Sequence, residues 1–319
     1  MVGENDFFMQ IKLHILQHSS FLGPGTIENV PENGQVERVA EKLIANGCKL
    51  IFATSYGYLE PILRVAQRHP DVVFMQVGRF SGTKNVGAFF DRPLEPMYIA
   101  GVVAGHMTKT NELGFIAAHP VPEVLQTINA FALGARSVNP KTSVKVIWSN
   151  TWADPIVESE AARGLIETGA DVLNFVQSNP LTIVKLAENK HTFVIFMFGD
   201  AHEFAPKYWL VGGAMDWGSF YTKIAKSVIN HTWHSEQFNC DMSSGVTTLT
   251  PFGPQVPMTV RKEATDLSNK IASKKFVVFK GPIVDRDGKV RLTAGHNPDF
   301  DWLAKMNFFV PGVEGNLPK

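Results

Sequence analysis

The pattern of apolar and polar residues over 49–77 predicts a strand, a turn, a helix and a second strand. Residues 50–53 form a continuous apolar run, which is typical of a buried strand. The polar and aromatic turn 54–58 follows, and Glu60-Pro61 opens a helix, because proline at a first helical position gives up no hydrogen bond. The apolar run 72–77 is the second strand. We therefore predict a β-α-β unit in this segment.

The same pattern recurs later in the chain. A strand at 171–176, a helix at 181–188 and a strand at 193–197 match the first unit with offsets of roughly 122 to 124 residues. In both copies the first strand leads to a serine, Ser55 and Ser178. In both, a helix ending at a glycine precedes that strand, and glycine tolerates the left-handed conformation there. A chance resemblance is the alternative, but we favour a duplication that yields two similar lobes.

Further apolar runs predict strands that alternate with helices. The strands are predicted at 85–90, 113–117, 144–148 and 210–215, and the helices at 97–107, 124–137 and 219–229. This rhythm ends after Cys240, where we predict strands at 276–279 and 281–292, the second a hairpin around the turn 285–288. Near the amino terminus, the periodicity over 7–17 fits either a helix or a strand.

Alternating strands and helices predict the α/β fold class. We expect two doubly wound, Rossmann-like lobes, each a largely parallel sheet with helices on both faces. The first lobe is predicted at 1–112 with roughly 215–240, and the second at 113–214. The remaining segment, 241–319, is expected to complete the lobes and the hinge.

Composition narrows the class of protein. Of the 319 residues, 45% are hydrophobic and 19% charged, and 30 basic residues balance 30 acidic ones. Because no basic stripe is present, nucleic acid is not an expected partner. No run of about 18 apolar residues occurs, so we expect no membrane-spanning helix, and no export signal is visible. Cys48 and Cys240 do not settle the compartment, and Cys48 is expected to be a buried free thiol.

Polar and aromatic residues gather just after the predicted strands. In open α/β sheets, ligands bind beyond the carboxyl ends of the strands. Two such edges facing each other would suit a flat, polar, uncharged ligand, because aromatic rings stack on its faces while carboxylates and amides bind its edges. Taken singly, Trp152 or Trp217 could be ordinary packing and Asp154 a helix cap. The candidates that share this placement are Tyr56, Tyr58, Asp91, His119, Glu123, Asn150, Trp152, Asp154, Ser178, Asn179, Asp200, Asp216 and Trp217.

Common catalytic and metal-binding motifs are absent from the sequence. There is no G-x-S-x-G, H-E-x-x-H, G-x-x-x-x-G-K-[ST] or C-x-x-C pattern. The segment 285–288 resembles the start of a calcium loop, but its twelfth position is His296, which favours a plain hairpin turn. We predict no catalytic residue, no metal site and no cofactor. A hydrolase using Asp200 or Asp216 as a base is the enzymatic alternative.

Several motifs together resemble a known family. They are Glu28-Asn-Val-Pro-Glu32, the run 49–61, Tyr98-Ile-Ala-Gly101, the long run 128–140, Asn150-Thr-Trp152 and Trp217-Gly218. This set is similar to the basic membrane protein family, the purine-nucleoside-receptor-like substrate-binding proteins of ABC transporters. The resemblance extends from about residue 26 to the end of the chain.

The resemblance implies a two-lobed periplasmic-binding-protein fold of type I, with three crossovers between the lobes. It further implies capture of a purine nucleoside or nucleobase without catalysis, an ABC transporter permease as partner, and an extracytoplasmic location. Because no export signal is visible, a cytoplasmic ligand sensor derived from the same family is an alternative. By position, the resemblance points to Tyr56, Phe89, Asn150, Trp152, Asp200 and Trp217 as ligand-binding residues.

One departure from the family concerns its first strand, which is expected to be missing here. We expect 3–8 to be a remnant of the loop that follows this strand, and 8–17 to be the next helix. Loss of a central strand would expose the edges of its neighbours. Residues 11–15 could substitute for the strand, a partner could supply one, or the chain could be part of a longer one.

Overall fold

The computed structural model describes residues 13–17, 25–28 and 30–318. In these residues the strands form a six-stranded sheet, a seven-stranded sheet and a two-stranded hairpin. The strands are β1 Leu13–Gln17, β2 Gly25–Ile27, β3 Cys48–Ala53, β4 Val73–Val77, β5 Val86–Asp91, β6 Glu112–Ala117, β7 Ser143–Trp148, β8 Val172–Val176, β9 Phe193–Phe196, β10 Trp209–Met215, β11 Gln237–Cys240, β12 Thr247–Leu249, β13 Ile283–Val284, β14 Val290–Leu292 and β15 Val313–Glu314.

Nine α-helices occur in the same described ranges. They are α1 Gln35–Ala45, α2 Leu59–Arg68, α3 Leu94–Met107, α4 Pro122–Val138, α5 Pro155–Glu167, α6 Leu181–Asn189, α7 Trp217–Ile229, α8 Met258–Ala272 and α9 Phe300–Ala304. Within the described part of the chain, none of them combines the length and apolarity that a bilayer-spanning helix needs.

The chain divides into two compact units. The smaller unit consists of the described residues up to Asp91 together with Asp216–Cys240, and the larger unit of Arg92–Met215 together with the residues from Asp241 onward. Within the described residues the chain therefore passes between the units three times. This division places α3 in the larger unit, whereas the boundary predicted at residue 112 placed it in the first lobe.

The smaller unit is a sheet of order β11-β5-β4-β3-β1-β2. Alternate residues of β3 face opposite sides, since a strand points successive side chains to opposite faces. Ile51 and Ala53 join the apolar core formed with α1 and α2. On the other face, Phe52 packs against Tyr221 of α7, with ring centroids 4.3 Å apart. The strand is buried on both faces, which explains its continuous apolar sequence.

The larger unit is a sheet of order β12-β10-β9-β8-β6-β7-β15. All its neighbouring strands are parallel except β12, which pairs antiparallel with β10. One face packs against apolar residues of α3, α4 and α8, and the other against those of α5 and α6. Both faces are therefore covered, as the sequence analysis predicted.

The duplication inferred from the sequence is visible in the topology. The series α1-β3-α2-β4-β5 in the smaller unit corresponds to α5-β8-α6-β9-β10 in the larger one. Strands β3, β4 and β5 are adjacent and parallel in one sheet, and β8, β9 and β10 are adjacent and parallel in the other.

The first strand of the smaller unit differs from its counterpart in the larger one. In the larger unit, β6 lies between β7 and β8 and is parallel to both. In the smaller unit, β1 takes the equivalent place between β2 and β3 but runs antiparallel to both. The substitution considered for 11–15 thus occurs at Leu13–Gln17, and the helix expected over 8–17 is wrong for this part. Residues 3–8 lie outside the described residues.

Two predictions for the carboxyl-terminal segment need correction. Residues 276–279 form no strand, and the 15-residue helix α8 was missed. Its apolar residues Val260, Ala264, Leu267 and Ile271 follow helical spacing, so the sequence did contain the pattern. The predicted hairpin is confirmed as β13 and β14, which pair antiparallel. Cys48 and Cys240 are both buried, and no disulfide bond joins them.

Helices α3 and α4 approach each other closely because glycines line their contact. A Cβ atom added to Gly134 would lie 2.0 Å from the carbonyl oxygen of Tyr98. One added to Gly101 would lie 2.2 Å from the carbonyl oxygen of Phe131. These obstacles are backbone atoms, which cannot rotate away. The glycines therefore set the distance between the two helices.

We expect Gly134→Ala to lower the free energy of unfolding by about 2 kcal/mol or more, because the added methyl group forces the helices apart. Urea denaturation followed by circular dichroism measures this change. The matched control is Gly164→Ala in α5, where the nearest heavy atom to an added Cβ is 3.9 Å away. This control should be neutral or stabilising by up to about 1 kcal/mol. Equal destabilisation by both substitutions would contradict the packing argument.

Candidate functional site

Each large sheet has one edge at which its parallel strands end and the chain enters loops. This edge is the usual ligand-binding edge of an open α/β sheet. The predicted binding residues divide between the two units, with Tyr56, Tyr58, Phe89, Asp91, Asp216 and Trp217 in the smaller unit and Asn150, Trp152 and Asp200 in the larger one.

The loop after β3 presents Tyr56 on the surface. Its side chain is 54% exposed. The ring contacts Phe90 edge-on, with centroids 6.4 Å apart. It also lies against Gly78, where an added Cβ would be 3.7 Å from the ring and the φ angle is +122°. Because Gly78 has no side chain, the Tyr56 ring can lie close to its backbone.

Tyr58, two residues further on, is fully buried. Its hydroxyl donates a hydrogen bond to the backbone carbonyl of Val30. Burial raises the pKa of this hydroxyl, and the nearby charge of Glu32 adds to the shift. Tyr58 therefore anchors the loop that carries Tyr56, and its hydroxyl already has a hydrogen-bond partner in Val30.

Two further side chains hold the same loop. One carboxylate oxygen of Glu32, Oε1, accepts hydrogen bonds from the Ser55 hydroxyl and, at 3.1 Å, from the backbone N–H of Gly57. The buried Gln76 of β4 donates from Nε2 to the carbonyl of Ser55 at 2.7 Å and to that of Val77 at 2.8 Å. Its Oε1 has no partner among the described residues. Gln76 thus ties the loop after β3 to the end of β4.

An aromatic cluster packs on one face of the smaller sheet. Phe89 of β5 is buried, and its ring centroid lies 5.5 Å from that of Trp217 and 5.3 Å from that of Phe220. Tyr221 stacks on Trp217, with centroids 6.0 Å apart and an interplanar angle of 16°. Phe89 is therefore a core residue that supports Trp217, whose own side chain is half-buried.

The two acidic candidates of the smaller unit have different surroundings. Asp91 is half-buried at the end of β5, where it pairs with Cys240 of β11. Asp216 is exposed and caps α7, because its Oδ1 accepts the backbone N–H of Ser219 at 3.1 Å and its Oδ2 accepts the Ser219 hydroxyl. These bonds lower the pKa of Asp216. Its carboxylate is already committed to the start of the helix.

In the larger unit, the loop after β7 carries Asn150 and Trp152. Asn150 is exposed and has a φ angle of +55°, a left-handed conformation that asparagine tolerates better than most residues. Trp152 is 38% exposed. Its ring lies edge-on to His119, which follows β6, with centroids 5.1 Å apart. The backbone carbonyl of Trp152 accepts the N–H of Ser178 at 2.7 Å, which ties this loop to the one after β8.

The same loop ends at a reciprocal helix cap. Asp154 Oδ1 accepts the backbone N–H groups of Ile156 and Val157, which confirms the capping alternative for Asp154. Glu158 is fully buried, and its Oε1 accepts the N–H of Asp154 at 3.1 Å. Its Oε2 has no partner among the described residues. Burial raises the pKa of Glu158, the neighbouring charge of Asp154 adds to the shift, and the hydrogen bond opposes it.

Asp200 lies after β9 and is half-buried. Its Oδ1 accepts the backbone N–H of His202 at 3.1 Å and lies 2.8 Å from Nδ1 of the same residue. The carboxylate is thus held at the strand end by the short turn that follows it.

A further carboxyl group, that of Glu95, lies close to the two points, Arg92 and Asp241, at which the chain enters the larger unit from the smaller one. Glu95, in the first turn of α3, accepts the backbone N–H of Met242 at 2.8 Å. Burial raises the pKa of Glu95 to about 7, and the nearby charge of Asp241 adds to this shift. The bond joins the segments that enter the larger unit after β5 and after β11.

Three predicted residues of the smaller unit therefore take part in its internal packing: Phe89 and Tyr58 are buried, and Trp217 is half-buried against Phe89. The structure leaves Tyr56 and Trp152 as the two most exposed aromatic side chains of the described chain. The sequence analysis missed the supporting roles of Glu32, Gln76 and Glu158. For Gln76, the available signal was a polar residue within an otherwise apolar strand. Among the described residues, no three His, Cys, Asp or Glu side chains form a group that could hold a metal ion.

Comparisons with known proteins agree on one family. The profile of the family described as ABC transporter substrate-binding protein PnrA-like matches residues 10–281. A purine-binding protein of Brucella abortus is 38% identical over 92% of this chain and 83% of its own length. A protein of Haloferax volcanii named as a glucose-binding protein of an ABC transporter is 34% identical over 88% of this chain and 69% of its own length.

Solved structures share the fold. A solute-binding protein of an ABC transporter from Conexibacter woesei aligns with a TM-score of 0.65 and 24% identity, over 77% of this chain and 84% of that one. A transcriptional activator of the comK gene from Bacillus halodurans aligns with a TM-score of 0.71 and 23% identity, over 76% and 86% of the two chains. These likenesses confirm the predicted type I periplasmic-binding-protein fold.

The raised pKa of Glu158 leads to a pH-dependent stability. A carboxyl group whose pKa is raised in the folded state contributes to the free energy of unfolding. This contribution is fully present below 4.5, the pKa in the unfolded chain, and it is lost as pH rises through the pKa of the folded state. Glutamine resembles the protonated acid. We therefore expect Glu158→Gln to melt close to wild type at about pH 5 and at a higher temperature than wild type at about pH 8.

Differential scanning calorimetry across this pH range measures the effect. The control is Glu160→Gln, since Glu160 is exposed on the same helix and its substitution should shift melting little at either pH. A difference between Glu158→Gln and wild type that does not grow with pH would contradict the prediction.

Proposed function

The chain belongs to the family of PnrA-like substrate-binding proteins of ABC transporters, and we propose that it binds a purine nucleobase or nucleoside for uptake. One observation carries the proposal. The two most exposed aromatic side chains of the described residues, Tyr56 and Trp152, lie in strand-end loops, one in each unit. Exposed rings at the ligand-binding edge suit stacking on a flat base, which contributes about 1–3 kcal/mol per base.

The polar candidates would bind the edges of the ligand. Asn150 offers an amide that can both donate and accept, and Asp200 offers a carboxylate held by His202. In this proposal Trp217 contributes the exposed part of its half-buried ring. Asp91 ends the smaller unit's first segment and Asp216 begins its second, and each contributes carboxylate lone pairs, which for Asp216 are those not used in capping α7. Phe89 and Tyr58 act from within the core, by supporting Trp217 and Tyr56.

The ligand class is supported by the relative at 38% identity, which is named as a purine-binding protein. A sugar is the second candidate, because the Haloferax relative is named as a glucose-binding protein. Aromatic rings also pack against the apolar faces of sugars, so Tyr56 and Trp152 do not by themselves exclude glucose.

We propose an extracytoplasmic location and an ABC transporter permease as the partner, since both follow from the role of the family. Neither the hydrolase nor the cytoplasmic sensor is favoured by membership of this family. The proposed role is reversible binding without a chemical step.

Isothermal titration calorimetry with adenine, guanine, adenosine, guanosine, inosine and glucose tests the proposal. The protein should first be unfolded and refolded to remove any ligand that co-purifies. We expect at least one purine to bind with a Kd of about 10 µM or tighter, and glucose to give no heat. Binding of glucose but of no purine would overturn the proposed ligand class.

Substitution of the exposed rings tests the proposed contacts. We expect Tyr56→Ala and Trp152→Ala each to weaken purine binding about tenfold or more, because each removes a stacking surface. The matched control is Ile229→Ala, since Ile229 is also 54% exposed but lies at the carboxyl end of α7. Its affinity should equal that of wild type. Unchanged affinity in both aromatic variants would remove these rings from the site.

A further inference from the structure

The residues on either side of Tyr56 share one hydrogen-bond acceptor. The Ser55 hydroxyl and the Gly57 N–H both donate to Oε1 of Glu32, from positions directly before and after the tyrosine. Glu32 is distant in sequence, in the segment between β2 and α1. A single oxygen atom therefore fixes the backbone on both sides of the most exposed aromatic ring in the described chain.

The geometry at Gly57 shows how closely this carboxylate fits the loop. A Cβ atom added there would lie 2.5 Å from Cδ and 2.6 Å from Oε2 of Glu32. No side chain larger than hydrogen can occupy this position while Glu32 stays in place. Glycine at 57 and glutamate at 32 thus form a matched pair.

Two buried side chains, Tyr58 and Gln76, fix the rest of the loop to the sheet. Tyr58 is anchored in the core through Val30, and Gln76 binds the carbonyl of Ser55. These contacts fix the loop as a whole to the sheet. Glu32, by contrast, is exposed, and its contacts bracket Tyr56 at Ser55 and Gly57.

We propose that Glu32 is a positioning residue for ligand binding, which holds the 55–57 turn so that Tyr56 presents its ring to the ligand. This inference rests on the proposed function, because it takes Tyr56 as a ligand contact. Glu32 acts through an acceptor oxygen and not through its charge. Both donors use Oε1, so the neutral amide of glutamine can replace it.

A double-mutant cycle on the full chain tests this role. We expect Glu32→Ala to weaken binding of the tightest purine about tenfold, and Glu32→Gln to stay within about twofold of wild type. In the Tyr56→Ala background, Glu32→Ala should change affinity by no more than about twofold, because the ring that it positions is gone. An equal loss in both backgrounds, or a loss in Glu32→Gln equal to that in Glu32→Ala, would overturn the proposal.

A measurement without ligand separates this inference from the proposed function. The protein contains five tyrosines, so labelling with 3-fluorotyrosine gives a countable set of fluorine NMR resonances, and Tyr56→Phe identifies the one from Tyr56. We expect this resonance to shift in Glu32→Ala and in Gly57→Ala, which displaces Glu32, and to stay in place in Glu32→Gln. A resonance unmoved in all three would overturn the positioning role even if purines bind. If it moves while no purine binds wild type, the positioning holds and the proposed ligand fails.

Discussion

Burial of both faces of the central parallel strands is the constraint on which the rest of this structure depends. Helices cover the two faces, so these strands are apolar over most of their length. Polar and aromatic groups that are available to a ligand are then concentrated in the loops at the strand ends. The same constraint explains why Gln76, buried in β4, donates from Nε2 to two backbone carbonyls at the strand ends, those of Ser55 and Val77.

Most of the fold could be predicted because strands buried on both faces leave continuous apolar runs, and these runs recur in the duplicated units. The strand β1 could not be assigned, because the apolar residues over 7–17 fit both a helical and a strand period, and nothing in the sequence indicates its antiparallel direction. Helix α8 was missed although its apolar spacing is regular, since the expected β-α-β rhythm had ended before it.

The sequence predicted that the candidate residues follow strands, but not the surroundings of each side chain. Tyr56 and Tyr58 both follow β3, yet one is exposed and the other is buried with its hydroxyl bonded to Val30. The two rings differ in burial because Tyr56–Tyr58 forms a short helical turn, and the spacing of the residues does not predict this turn. Asp216 likewise follows a strand but caps a helix. A carboxylate after a strand serves either purpose, and the sequence does not distinguish them.

The reversed direction of β1 also changes the electrostatics of the smaller unit. In the larger unit, strands β6, β7 and β8 each lead directly into a helix, so the amino ends of α4, α5 and α6 lie at the strand-end edge. Among the described residues of the smaller unit, only β2 and β3 do so, through α1 and α2. Each helix amino end carries roughly half a positive elementary charge from its macrodipole. The strand-to-helix junctions described in the two units therefore give their strand-end edges different local fields, with three positive helix ends in the larger unit and two in the smaller one.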